Sequence, residues 1–259
     1  MIGSEGELLE ADPLDAVARP AMPCDLCDLF PVGTGHGGPV EVKVALPLPP
    51  VGTYRADCDA TVATRVHTTG IMAQRREFEF IMDLQAREDM DRIILQAKQM
   101  FCAEALREAN WEVMRVLLDA VPRPGKRCGV GGLLELASDL CASYPYPQFP
   151  AGVALLIPYP SLAGLLASPE ARVSVCGGPG APRVFLNGVE AIAYEAPQGV
   201  AQVHGEPMPT YAMPRHGRVG LAMSKVALQV ADRGSHLDFK AHCHIGAKLL
   251  SEPVLGAIA

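Results

Sequence analysis

Residues 71–121 read IMAQRREFEFIMDLQAREDMDRIILQAKQMFCAEALREANWEVMRVLLDAV. These 51 consecutive positions contain neither Gly nor Pro, while all 25 Gly and 23 Pro lie in the other 208. Helix interiors exclude both residues, because Gly costs about 1 and Pro about 3 kcal/mol relative to Ala. The stretch opens with alternation, Arg76-Glu77-Phe78-Glu79-Phe80-Ile81-Met82, which predicts a strand. Asp83 is placed to cap a helix beginning at the next residue. From Leu84 to Ala120 the apolar residues take helical spacing, at Met90, Ile93, Ile94, Ala97, Phe101, Ala105, Val113, Val116 and Leu117. About 35 helical residues would span roughly 50 Å, and helices average only about a dozen residues. Pro122 and Pro124 stop this one.

A helix this long serves as a coiled-coil arm, a bundle member or a spine across a sheet. A coiled coil needs a sustained apolar seam, which Gln85, Glu104 and Asn110 interrupt. No second stretch of similar length offers a bundle partner. A spine packed on a sheet is therefore the expectation.

Upstream, Val40-Glu41-Val42-Lys43-Val44-Ala45-Leu46 alternates as a strand and ends at Pro47, Pro49 and Pro50. The long interval before the strand at 76–82 predicts a protruding hairpin or loop, a kind of segment that is usually functional. Residues 1–39 carry an acidic stretch (Glu5, Glu7, Glu10, Asp12, Asp15) followed by Gly- and Pro-rich sequence, and read as extended. Downstream, Gly131–Ser143 predicts a short amphipathic helix and Val153–Pro158 a buried strand. Ser161 is placed to cap a helix that ends at Ser168-Pro169. Val184–Ala193 reads as a hairpin with an Asn187-Gly188 turn. Val219–Ala231 and Leu237–Leu250 read as longer strands around a polar turn at 232–235. The sum is one long helix, two short ones and about seven strands, with helices segregated from strands, which indicates an α+β fold.

Composition narrows the function classes. Half the residues are apolar (49%), one fifth are charged, and 22 basic against 29 acidic side chains give a net charge of −7. A disordered polyampholyte is excluded, and a strongly basic nucleic-acid binder is disfavoured. Eight cysteines fall far below the density of a disulfide scaffold. The acidic N-terminus lacks the basic region of a secretory signal, so a reducing intracellular setting is expected. The most apolar window, Ala151–Ser168, is short for a membrane span and carries Pro158 and Pro160.

Motifs with chemical meaning are few. Gly33-Thr34-Gly35-His36-Gly37-Gly38 matches GxGxxG, but Pro39 and a strand come next where a dinucleotide site needs a helix, so it reads as a turn. Cys24-Asp25-Leu26-Cys27 is a CxxC without a second pair. The histidines of His242-Cys243-His244 would share a strand face and supply two further ligands, which keeps a metal-binding or thiol enzyme open as one alternative. The bland reading is small buried thiols and an exposed strand face. Pro23 and Phe30-Pro31 argue against a redox CxxC. Cys176, in Cys176-Gly177-Gly178-Pro179-Gly180, sits in a surface loop. Glu88, Asp89 and Asp91 suit a helix N-terminus, and Trp111 suits a core. No catalytic, cofactor-binding or metal residue is assigned.

The order of these elements resembles the major capsid proteins of tailed phages, the Hong Kong 97-type fold. The resemblance covers about Leu8 to Ala259. Glu104–Leu118 (EALREANWEVMRVLL) resembles the end of that family's spine helix. Val153–Leu166 (VALLIPYPSLAGLL) resembles its strand leading to a short helix, and Asn187-Gly188-Val189 its turn. His244-Ile245-Gly246-Ala247-Lys248, with Val254 and Ile258, resembles its closing strand and tail. The resemblance implies an N-terminal arm (1–39), an extended loop (40–75), a peripheral domain with the spine helix (76–130), an axial domain (131–230) and closing strands of the peripheral domain (231–259). It implies self-assembly into hexamers and pentamers, or pentamers alone, of an icosahedral shell, with other virion proteins as partners. Packaged DNA would be enclosed without sequence-specific binding, no membrane would take part, and assembly would occur in the host cytoplasm. An encapsulin-like nanocompartment shell is the alternative within the same architecture. An arm and loop that bury no core of their own would need neighbouring subunits to cover them. An arm this short would also leave no room for a preceding scaffolding domain.

Overall fold

The computed structural model describes residues 8–16, 19–35, 37–47, 64–83, 90–120, 129–142, 152–178, 181–197, 208–214, 218–234, 236–250 and 255–258. The long helix is α2, Met90–Ala120, whose 31 residues extend about 46 Å at 1.5 Å each. Gln85, Glu88 and Asp89 lie outside the described residues. Asp83 ends strand β4 (Thr64–Asp83), opposite His236, and the first turn it is expected to cap, residues 84–89, lies outside the described residues. The alternation from Arg76 runs on through Asp83 and takes that residue into the ladder.

The first sheet is built around β12 (His236–Leu249). One edge of β12 pairs antiparallel with residues 74–83 of β4. The other edge pairs with β10 (Val219–Ser224) and β11 (Val226–Asp232). The sequence predicts a single strand here. The register shows why there are two: Met223 faces Ile245 but Ala227 faces His242, so three residues oppose two. This is a β-bulge at Ser224–Val226. Ser224 Oγ accepts the His244 amide at 2.9 Å and donates to Lys225 O at 2.8 Å, filling the gap in the ladder.

The bulge divides the outer edge between two N-terminal strands. β1 (Leu9–Ala11) pairs antiparallel with β11, and β2 (Asp28–Val32) pairs parallel with β10. Between them lie α1 (Pro13–Ala16) and a 3-10 turn, Pro23–Leu26. This corrects the expectation of an extended arm. Much of the segment folds onto its own subunit, because Cys24, Leu26 and Cys27 are fully buried in the main core. Pro31 is tolerated because β2 is an edge strand.

Alternation along β12 separates two environments. Leu237, Phe239, Ala241, Cys243 and Ile245 face α2 and pack with Phe101, Ala105, Leu106, Val113 and Leu117. Each large side chain so buried contributes about 1.5–3 kcal/mol. On the opposite face, β4 leaves the ladder after Gln74 and crosses β12 at Gly246. A Cβ on Gly246 would lie 2.0 Å from the Met72 carbonyl oxygen. Beyond the crossing, residues 64–73 pair with β3 (Gly38–Pro47). Val42, Ile71 and Ala73 seat the base of this ribbon on Ala222 and Leu250. The predicted hairpin is thus a ten-residue ladder on each side, while residues 48–63 lie outside the described part.

The second sheet has the order β13-β9-β5-β8-β7-β6. Its strands are β5 (Val153–Pro158), β6 (Val173–Cys176), β7 (Arg183–Leu186), β8 (Val189–Tyr194), β9 (Pro209–Pro214) and β13 (Leu255–Ile258). Leu155 and Ile157 of β5 pack with Leu133, Ala137 and Leu140 of α3 (Val130–Ala142). Ala154 and Leu156 face the main core. Burial on both faces explains the unbroken apolar run of β5. The Asn-Gly turn is as expected, with φ of 49° at Asn187 and 87° at Gly188. Helix α4 (Tyr159–Leu166) starts two residues before Ser161. Pro158 stands at its N-cap with no side-chain hydrogen bond, and Pro160 fixes the first turn. Sheet membership departs from the expected boundaries: β10 and β11 belong with β12, and β13 belongs with the second sheet.

Gly246→Ala forces apart two backbones and lowers the unfolding free energy by about 1–3 kcal/mol or more, as overpacking does. Gly131→Ala, in open space on a helix, is neutral or stabilising by up to about 1 kcal/mol. Denaturant titration of the two variants side by side checks the contrast.

Candidate assembly surfaces

The N-terminal segment is held to α2 by polar contacts as well as apolar burial. Asn110, which breaks the apolar seam in the sequence, accepts the Cys24 amide on Oδ1 at 3.0 Å, and its Nδ2 lies 3.1 Å from Met22 Sδ. Arg19 grips Asp25 with two hydrogen bonds, at 2.6 and 2.7 Å, and Asp25 also accepts the Met22 amide at 2.8 Å. The seam interruption is therefore a docking point. A second polar cluster ties β4 to α2: Arg76 lies 3.6 Å from Glu108 and bonds Glu112, which Arg115 also bonds. Alternation places Arg76 on the helix-facing side of β4, but its partners lie about thirty residues further on and no local pattern marks them.

Cys24 and Cys27 do not meet His242 and His244. The two thiols lie in the core cluster with Cys243, while the histidines alternate to the other face of β12. There the His242 and His244 rings make an edge contact at 6.3 Å. Burial pushes the Cys24 and Cys243 thiols up to about 12 and Cys102 up to about 11, and it raises Cys27 as well. Neighbouring Asp25 adds to the effect at Cys24. These thiols are protonated at neutral pH and lack the thiolate that nucleophilic chemistry uses. Among the described residues no three His, Cys, Asp or Glu side chains are placed to hold a metal ion. Gly33–Gly38 joins β2 to β3, with no helix N-terminus to receive a phosphate. Cys176 is exposed at the end of β6 rather than in the loop beyond it. Trp111 is buried and its ring carries the Arg107 guanidinium at 5.0 Å.

Several apolar side chains stay uncovered among the described residues. Helix α4 buries none of its residues, and Tyr159 is 68% exposed. Strand β6 exposes all four, with Val173 at 44% and Val175 at 63%. On the crossing segment Met72 points away from the core at 58% exposure. No helix is long and apolar enough to cross a membrane among the described residues.

No family model matches the sequence, and no curated protein does. The structure, in contrast, aligns with solved structures over nearly its whole length. The mature capsid of bacteriophage PhiM1 matches with a TM-score of 0.57 at 8% identity, over 92% of this chain and 86% of that one. A virus-like particle from Pyrococcus furiosus gives 0.56 at 11% identity, over 95% of both chains. The chain has the Hong Kong 97-type capsid fold. The holo-SrpI encapsulin of Synechococcus elongatus shares it, with a TM-score of 0.54 at 12% identity, over 89% and 84% of the two chains. In this Hong Kong 97-type fold α2 is the long helix expected from residues 84–120, and β3–β4 is the hairpin expected before it.

The docked N-terminus and the raised thiols each have a measurable consequence. Asn110→Ala leaves the Cys24 amide without its acceptor and costs about 1–3 kcal/mol in denaturant unfolding. The thiols have folded values above the ordinary 9.0. The folded state therefore holds protons that the unfolded state releases. Their contribution is full below about pH 9 and is lost as pH rises toward about 12. Cys243→Ala is expected to flatten that alkaline decline, measured as denaturation midpoint against pH. Against an aromatic disulfide reagent at pH 8, Cys176 reacts at once while Cys24, Cys27, Cys102 and Cys243 react only on unfolding, as read by peptide mapping.

Proposed function

We propose that this chain is the subunit of a self-assembling icosahedral shell, a phage or phage-like major capsid protein that encloses a genome. The observation that carries the reading is the match in fold along nearly the full chain to proteins described as capsids and particles. Its role is containment rather than catalysis. Four described thiols sealed in the core and apolar side chains left exposed on α4 and β6 support this reading.

In this reading the first sheet with α2 forms the peripheral part and the second sheet the axial part. Residues 219–230 are assigned to the peripheral part and residues 255–258 to the axial part, an assignment their strand pairings support. The β3–β4 ribbon is the extended loop that reaches a neighbour. The net charge of −7 suits a shell that encloses DNA without gripping it, because a lining that neutralised phosphates would bind tightly and in a salt-dependent manner. The particle would be a virion component assembled in the host cytoplasm, with other virion proteins as partners. A shell around an enzyme shares the fold, and what the particles contain separates the two.

The test is expression of this chain alone, with sedimentation velocity and negative-stain microscopy of the product. Closed particles of uniform diameter are expected. A monomer that persists at milligram-per-millilitre concentration refutes the reading. For particles purified from the native source, nuclease-protected DNA supports genome enclosure, and a co-purifying stoichiometric enzyme supports a nanocompartment.

A further inference from the structure

Strands β6 and β13 are the two ends of the second sheet. Among the described residues β6 pairs only with β7, and β13 only with β9. Each therefore presents a row of peptide groups beside which no described strand lies. The hydrogen bond from the Asn187 amide to Arg172 O, at 2.8 Å, fixes the phase on β6. Peptide groups of residues 172, 174 and 176 face β7, and those of Val173 and Val175 face outward.

Free edges in soluble proteins are blunted with charge, Pro or bulges. Neither edge here is. β6 is Val-Ser-Val-Cys with all four residues exposed, and β13 is Leu-Gly-Ala-Ile. Both edges are four residues long and uncharged. Their directions also match. From β13 the pairings run antiparallel to β9, antiparallel to β5, parallel to β8, antiparallel to β7 and antiparallel to β6. The reversals cancel, so β6 runs in the same direction as β13.

We propose that β6 of one copy adds to β13 of the next as a short parallel ladder, so that the second sheet continues from subunit to subunit. This rests on the shell reading. The occupant is a second copy because the matching edge is in the chain itself: same length, same direction, no charge. The two edges differ, so the contact is heterologous, and repetition by rotation closes it into a ring. A rotation about an axis along the strands preserves strand direction, which is why equal directions are required. A four-residue parallel ladder is weak alone. Each contact is thus reversible until the ring closes.

Pro at position 175 removes an outward amide that the subunit does not use, so Val175→Pro keeps the fold while blocking the added strand. The expected result is an unchanged circular dichroism spectrum and melting temperature of the dissociated subunit. Particle yield falls roughly tenfold or more. A second measurement places Cys at Leu255, Gly256, Ala257 or Ile258, one at a time, and oxidises assembled particles. One or two positions are expected to link to Cys176 and give a ladder of covalent oligomers ending in a closed ring, absent with Cys176→Ser. Normal particle yield from Val175→Pro overturns the proposal, as does no Cys176 link at any of the four positions in intact particles. Both results leave the shell reading standing. Cys176–Cys176 dimers in unmodified particles overturn it in favour of an isologous contact. A wild-type chain that forms no particles overturns the shell reading and this ladder together.

Discussion

Strand β12 must satisfy two unlike surfaces at once, and the rest of the molecule is arranged by that constraint. Its odd-numbered residues, from Leu237 to Ile245, are the floor on which α2 lies. Its even-numbered residues take the other face, where His244 is buried, and one of them, Gly246, has to be bare so that β4 can pass over it. A slip of one residue would exchange the two sets. It would put His242 and Lys240 under the helix and Ile245 under the Met72 carbonyl. Register is therefore fixed jointly by a helix on one face and a backbone crossing on the other. The bulge at Ser224–Val226 then divides one edge of β12 between β10 and β11. That is how β2 and β1 find separate partners along one edge.

Elements whose identity depends on local period were legible in the sequence. Helix α2, the strand Val153–Pro158, the Asn187-Gly188 turn and the ribbon each carry a repeat of 3.6 or 2, or a turn dipeptide with a steric reason. Elements defined by a distant partner were not. Residues 23–32 look like coil, because Pro and Cys hide a segment whose order comes from docking on Asn110 and pairing with β10. β1, β6 and β13 have three or four residues each, too few for a period to show. Asp83 and Ser161 are good cap residues in the abstract. Asp83 is the last residue of a ladder, and Ser161 lost the cap to a proline that starts a helix early. For the candidate metal set, residue type suggested a pairing that strand alternation forbids: Cys243 faces the core with Cys24 and Cys27, so its neighbours His242 and His244 cannot.

Identities of 8–12% with the matching shell structures are compatible with one fold, because the constraints on this architecture concern period, volume and a few bare positions. Cores accept wide hydrophobic exchange when volume and pattern are kept. Alternation on β12, a long helix to cover it and room at the crossing can all be met by very different sequences. For such a fold, resemblance in the order of elements is a better guide than residue identity.

The N-terminal segment changes where contacts between copies have to be sought. Had residues 8–32 been an arm without a core, a neighbour would have been needed to bury it, and exchange of that arm would have been the natural bond between subunits. Instead Cys24, Leu26 and Cys27 are buried at home, and both of its strands are already paired. Its removal to a neighbour would empty the main core beside α2. In the proposed shell, contacts between copies would then fall to surfaces that the chain exposes without unfolding, such as helix α4 and strand β6. In that shell such a chain would fold first and assemble second, and a weak, repeated contact suits that order. It would let misplaced copies leave before closure, while closure would multiply the contacts that hold each correctly placed copy.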